Sequence, residues 1–230
     1  LVSDAGIKGA VVNTAPSLSG YDFQEERLTA GAGTSVSRLA RLAGERGLTG
    51  LEFAAGIPGT VGGAVVMNAA SRGGEMAEVL RRVKVLEQDG TVRWVSREEC
   101  GFSYRSSRFQ KGDETILEVE MELKPGDSEE IKERIRENLE WRKGALPLEY
   151  PSAGSIFRNP PGDCAGRLIE SAGLKGKRVG DAQISEKHAN VIVNRGGARS
   201  AEVEEMINRA RSTVRKKFGI ELELEIEIWV

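Results

Sequence analysis

Hydrophobic residues recur along the chain with two distinct periods. Val36, Leu39, Ala40 and Ala43 fall at helical spacing, with Thr34 or Ser35 available as a hydroxyl cap and Gly47 as a stop, which predicts a helix with one buried face. The stretch VKVLEQDGTVRWV, residues 83 to 95, sets Asp89-Gly90 between two β-rich runs and predicts a hairpin. In TILEVEMEL, residues 115 to 123, Leu117, Val119, Met121 and Leu123 alternate with three glutamates, so one strand face is predicted to meet the core and the other water. The period then switches in EEIKERIRENLEWR, where Ile131, Ile135 and Leu139 share one helical face. Ser200 opens a last long helix with the stripe Val203, Met206, Ile207, Ala210, Val214 and Phe218, ending at Lys216, Lys217 and Gly219. ELELEIEI closes the chain as a predicted strand, with Leu222, Leu224, Ile226 and Ile228 opposite Glu221, Glu223, Glu225 and Glu227. Strands and helices are mixed rather than strictly alternating, so the predicted class is α+β. A domain boundary is predicted at GALPLEYP, residues 144 to 151, where a charged helix gives way to a proline-containing connector.

Composition narrows the partners. A chain of 230 residues with 39% hydrophobic residues can bury the core of one large domain or two modest ones. Its 33 basic and 35 acidic residues nearly cancel and are dispersed, which leaves no footprint for nucleic acid or an anionic membrane and points to a small-molecule partner. Cys100 and Cys164 stand far apart and His188 is the only histidine, so neither a disulfide framework nor a metal site is predicted, and a reducing compartment, the cytoplasm, is the expected location. No apolar run reaches membrane-spanning length. The first residue is Leu1, not methionine, which suggests sequence upstream of it.

Two glycine-rich stretches and one polar turn carry candidate chemistry. GIPGTVGGA, residues 56 to 64, has glycine or proline at five of nine positions and can bare its backbone amides to a flat ring or a pyrophosphate; no Lys-Ser/Thr pair follows, so it is not a P-loop. TAGAGTSVSRLA has Gly31 and Gly33 of a dinucleotide-binding turn, but Val36 occupies the third glycine position. PSAGSIFRNP, residues 151 to 160, holds Ser155 without a nucleophile elbow around it or a Ser-x-x-Lys after it. Ser155 is therefore open to two readings: a turn serine bonding its own backbone, or a proton donor to a strongly basic, carbanion-like centre. His188, between a charged segment and NVIVN, is read as structural.

The stretches GLTGLEFAAGIPGTVGGAVVMNAA, FSYRSSRF, PSAGSIFRNP, GLKGKRVGDAQISEKHANVIVN and GIELELEI, in that order, resemble the UDP-N-acetylmuramate dehydrogenase family, also called UDP-N-acetylenolpyruvoylglucosamine reductase, over nearly the whole chain. The resemblance implies an FAD-binding fold of the vanillyl-alcohol-oxidase type followed by a smaller α/β substrate-binding domain. It implies reduction of UDP-N-acetylglucosamine enolpyruvate by NADPH through FAD, for peptidoglycan synthesis. Residues 1–20 would be a remnant of the first FAD-binding domain, 21–147 the second, 148–218 the substrate-binding domain, and 219–230 a terminal strand carrying an active-site glutamate. Ser155 matches the family's proton donor, Arg105 the arginine on the substrate carboxylate and Glu225 the glutamate of the C-terminal strand. Tyr104 and Asn159 match substrate-binding positions; Ile57, Pro58, Gly59, Thr60, Gly62, Gly63, Ala64 and Asn68 match the flavin-binding stretch. No metal is implied, and the full-length protein is expected to be a monomer.

Departures from the family pattern are Ser71 and Arg72 for an Ala-Tyr pair, Val191 for a Phe and Arg158 for a Lys. The short connection from Trp141 to Ser152 matches the family branch without an extra substrate-covering insertion. With most of the first domain absent, weak flavin binding and exposed apolar surface are expected. A flavin-free UDP-sugar-binding or scaffolding module and a nicotinamide oxidoreductase built on GAGTSV are the alternatives.

Overall fold

Leu28, Ala30, Val83, Val85, Val95, Val119 and Met121 come from four separate strands and are all essentially inaccessible to solvent, because alternation turns each strand's apolar side the same way. The computed structural model describes residues 1–230, which divide into two units: Val12–Arg142, and Leu1–Val11 together with Lys143–Val230. The first unit carries β1 (Tyr21–Gln24), β2 (Arg27–Gly31), α1 (Val36–Glu45), β3 (Leu48–Thr49), α2 (Val61–Val66), β4 (Ala70–Ser71), β5 (Gly74–Glu75) and α3 (Met76–Val79). It continues with β6 (Leu80–Glu87), β7 (Val92–Ser96), β8 (Glu114–Glu122), β9 (Lys124–Pro125) and α4 (Ser128–Ala145), whose end crosses the point of division. An antiparallel sheet ordered β1-β2-β8-β6-β7 is its frame. The predicted hairpin is β6–β7, closed by Glu87 N–H to Thr91 O at 2.9 Å with Gly90 at φ 88°.

Ser35 caps α1, its Oγ accepting from Arg38 N–H at 3.3 Å, and the predicted apolar stripe is buried. The charged helix α4 buries Ile131 fully and Ile135 in part, but Leu139 at the end of the same stripe is 45% exposed. Strand β8 departs from strict alternation. Its register against β6 slips between Lys84↔Glu118 and Val85↔Ile116, leaving Leu117 as the extra residue and turning Ile116 inward. The expectation that Glu118, Glu120 and Glu122 all meet water fails for Glu120, which is 4% exposed. β8 lies between β2 and β6, and the arginines of those strands close over Glu120: Arg82 at 2.8 Å, Arg81 at 3.2 Å and Arg27 at 3.8 Å.

In the second unit β10 (Ser152–Ser155), α5 (Ala165–Ser171), β11 (Arg178–Val179), β12 (Ala182–Ile184), β13 (Val191–Asn194) and α6 (Ser200–Phe218) surround a separate core. The antiparallel sheet order is β10-β13-β12-β11, and α6 buries Met206, Ile207, Ala210 and Val214 as its stripe predicts. Asp4 caps α6, its Oδ2 accepting from Ser200 N–H at 2.7 Å. The closing segment is not the continuous strand predicted for it. It pairs through single bridges, Phe157↔Leu224 and Val2↔Trp229, because its two halves meet different partners and neither contact is long enough for a ladder. No helix is long and apolar enough to cross a membrane.

Candidate active-site elements

In the first unit two short loops cross as they enter helices. Val61 N–H donates to Thr34 O at 2.8 Å, Gly62 N–H to Ala32 O at 2.8 Å, and Val36 N–H to Gly59 O at 3.3 Å. Thr60 Oγ1 caps α2 by accepting from Gly63 N–H at 3.3 Å. Glycine at 62 lets the loops approach closely: a Cβ there would lie 3.0 Å from the Ala32 Cβ and 3.1 Å from Ala32 O. Pro58, Gly59 and Gly63 are exposed, Ile57 and Thr60 half-buried, Gly62 and Ala64 buried. The predicted stretch therefore has an outer side, bare of bulky side chains around Gly59 and Gly63, and an inner side that packs. The outer side, with no side chain at Gly59 or Gly63, leaves room for a planar ring or pyrophosphate to lie close along the main chain.

Asn68 belongs to the inner side. It is 1% exposed; its Oδ1 accepts from Ala77 N–H at 3.0 Å and its Nδ2 donates to Ser103 O at 3.2 Å. In this structure it supports the turn at 103–106. The glycines of GAGTSV have a packing reason too. A Cβ at Gly31 would sit 2.3 Å from Leu18 O and one at Gly33 2.5 Å from Ala15 Cα, so the space a dinucleotide would need beside them is filled by the chain at 15–18.

The turn that Asn68 supports carries Tyr104 and Arg105. Ser103 and Ser106 exchange two main-chain hydrogen bonds of 3.1 Å, and Arg105 takes the left-handed φ of 52°, a conformation that a non-glycine residue adopts only when its surroundings hold it there. Gln110 Nε2 donates to Arg105 O at 2.9 Å, and Arg105 Nη1 donates to Ala70 O at 3.1 Å. Tyr104 is 51% exposed, with the guanidinium 5.6 Å from its ring centre.

In the second unit Ser155 ends β10, half-buried and paired with Val191, after a register shift that includes Gly154 at φ 80°. On the next residue, Ile156 O accepts from Glu225 N–H at 2.8 Å. Ser155 and Glu225 are thus brought to adjacent backbone positions although 70 residues separate them in sequence. Asn159 caps α5, its Oδ1 accepting from Ala165 N–H at 3.0 Å. His188 is half-buried; burial pushes its pKa down, and its Nδ1 accepts from Asn190 N–H at 3.3 Å. Asn190 itself, which pattern reading passes over, is 4% exposed and lies against Phe157. The signal available was a polar residue at the mouth of the apolar run VIV.

Residues 1–96 match the family described as FAD binding domain, and residues 146–229 the family described as UDP-N-acetylenolpyruvoylglucosamine reductase, C-terminal domain. UDP-N-acetylenolpyruvoylglucosamine reductase 2 of Symbiobacterium thermophilum is 48% identical over 229 residues, 100% of this chain and 74% of the relative. The chain belongs to the UDP-N-acetylenolpyruvoylglucosamine reductase family. The Bacillus subtilis reductase is 45% identical over 229 residues, 99% of this chain and 76% of its own. The crystal structure of the Thermus caldophilus reductase superposes with a TM-score of 0.81 at 45% identity, covering 92% of this chain and 75% of that one.

On the reductase framework, the glycine loop and Asn68 fall within the FAD-binding match, and Ser155, Asn159 and Glu225 within the C-terminal match. Tyr104 and Arg105 lie between the two matched stretches. Of the departures from the reductase pattern, Arg72 places its guanidinium 5.7 Å from the Trp141 ring centre.

Proposed function

We propose that this chain reduces the enolpyruvyl group of UDP-N-acetylglucosamine enolpyruvate to the lactyl ether of UDP-N-acetylmuramate, with FAD as resident cofactor and NADPH as reductant. The relatives' shared name sets the reaction, and one observation favours the assignment of roles: the tail turns Glu225 toward the residue that follows Ser155. The loop around Gly59 and Gly63 would hold FAD, which would supply the hydride.

The residues answer the electronic demand of the reaction. Hydride reaching the terminal alkene carbon drives negative charge onto the neighbouring carbon and its carboxylate. Arg105, a permanently charged planar fork, holds that carboxylate and stabilises the enediolate-like charge. Ser155 Oγ donates a proton to the carbon. No paired base is needed for this role, because the carbanion-like acceptor is a far stronger base than the groups to which a serine hydroxyl usually gives its proton, and solvent restores the proton to Ser155 between turnovers. Glu225 steadies the donor end of the site, and Tyr104 and Asn159 contact the substrate. Residues 21–147 serve as the second flavin-binding domain, 148–218 as the substrate-binding domain and 219–230 as the terminal strand that carries Glu225. The full-length enzyme acts as a cytoplasmic monomer, on a small molecule rather than on nucleic acid or membrane.

The test uses protein saturated with FAD in the absence of oxygen. NADPH is expected to bleach the flavin's visible absorbance, and the enolpyruvyl substrate to restore it with formation of the lactyl ether. A protein that takes up no flavin yet is protected by the UDP-sugar against thermal unfolding would overturn the reading in favour of a binding module.

A further inference from the structure

In an extended chain successive N–H groups point to opposite sides, yet directly after Ser155 two in a row are received by one residue. Ile156 N–H donates to Asn190 O at 2.9 Å, and Phe157 N–H donates to Asn190 Oδ1 at 3.0 Å. Asn190 Nδ2 returns a bond to Phe157 O at 2.7 Å. The planar amide thus does for Phe157 what a neighbouring strand would do, with acceptor and donor on one short arm, while Ile156 O is left to take Glu225 N–H on the far side. Asn190 is itself held. Its N–H donates to His188 Nδ1 at 3.3 Å, Val191 N–H donates to His188 O at 3.0 Å, and Ser185 Oγ, 3% exposed as a residue, accepts from Lys187 N–H at 3.0 Å and His188 N–H at 3.2 Å.

We propose that Asn190 is a positioning residue for the reduction: through its paired bonds to Phe157 it sets the bend of the chain between Ser155 and Glu225, and so the aim of the Ser155 hydroxyl. The inference rests on Ser155 being the proton donor. No other side chain reproduces the geometry. Aspartate would set a carboxylate oxygen against Phe157 O, glutamine is a methylene too long, and leucine would leave both Phe157 main-chain groups unsatisfied in a buried place.

The test compares Asn190→Asp, Ser155→Ala and the double variant as FAD-loaded proteins, following the two half-reactions by flavin absorbance. With Asn190→Asp, flavin reduction by NADPH is expected to stay within about twofold, while reoxidation by the enolpyruvyl substrate slows about 10- to 100-fold, the cost of a misplaced reacting group. On a Ser155→Ala background Asn190→Asp is expected to add less than about twofold, because the group it positions is gone. Additive losses, or equal losses in both half-reactions, would overturn the proposal and leave Asn190 a folding residue. Should Asn190→Asp not fold, Asn190→Ser, which keeps one atom able to accept and donate, carries the same comparison. If Ser155→Ala alone leaves reoxidation intact, the proton-donor assignment has failed. If it slows reoxidation but Asn190→Asp and Asn190→Ser do not, only the positioning role has.

Discussion

Four glutamates alternate through the C-terminal tail, and their surroundings separate them. Glu221 pairs with Arg211 at 3.1 Å, Glu227 accepts from Trp229 Nε1 at 2.9 Å, and Glu223 is exposed, its carbonyl taken by Arg158 N–H at 2.8 Å. Glu225 alone is half-buried, with its N–H on Ile156 O. Removing its charge should therefore be felt, and removing its neighbours' should not. Glu225→Gln is expected to slow substrate reduction by about tenfold or more, in line with loss of one preorganised polar group, with Glu223→Gln and Glu227→Gln within about twofold. Steady-state turnover of the three variants checks this; an effect at Glu223 or Glu227 instead would show the assignment to be out of register by two. The alternation of ELELEIEI was legible from its period, but the period leaves its acids equivalent, and only the family resemblance singled out Glu225. The distinction depends on Ile156, a residue distant in the chain, and no local period encodes that meeting.

Gly31 and Gly33 show what pattern alone leaves open at the level of elements. A glycine pair ahead of a helix reads as a phosphate-binding turn or as close packing, and only the path of residues 15–18 decides between them. Gly31 N–H donates to Gly20 O and Gly33 N–H to Leu18 O, both at 2.8 Å, so this segment runs directly over the end of β2. Gly31→Ala is expected to destabilise the protein by about 1–3 kcal/mol, as overpacking against backbone does. Gly73→Ala, with nothing within 4 Å of the added methyl but a φ of 86°, isolates the cost of backbone strain alone. Urea unfolding of both variants measures the difference; a Gly31→Ala protein as stable as the parent would contradict the packing. The helices and the β6–β7 hairpin were readable because their signals lie within a few residues of each other. The bulge at Leu117, the burial of Glu120 and the broken closing strand were not, because each is settled by a partner strand or its absence.

The chain as a whole keeps two cores, one in each unit. In the first unit Glu52 ties its loop to α4: Thr49 Oγ1 donates to it at 2.6 Å, Gly50 N–H at 2.7 Å, and Arg134 approaches to 3.0 Å. Burial pushes the Glu52 carboxyl up, but these hydrogen bonds outweigh burial and hold it below its ordinary value. A carboxyl lowered on folding adds stability above its unfolded pKa and loses that contribution as pH falls through the folded one. The stability gap between the parent and Glu52→Gln is thus expected to be full at neutral pH and to close as the pH drops below 4.5, the unperturbed value. A gap independent of pH would assign the residue's role to shape rather than charge.

The proposed reduction depends most directly on the hydroxyl of Ser155, and pre-steady-state absorbance of FAD-loaded Ser155→Ala tests that dependence. Flavin reduction by NADPH should proceed at the parent rate, while reoxidation by the enolpyruvyl substrate should slow by about a hundredfold or more, since only the second half-reaction needs the proton. Equal slowing of both halves, or none in the second, would contradict it.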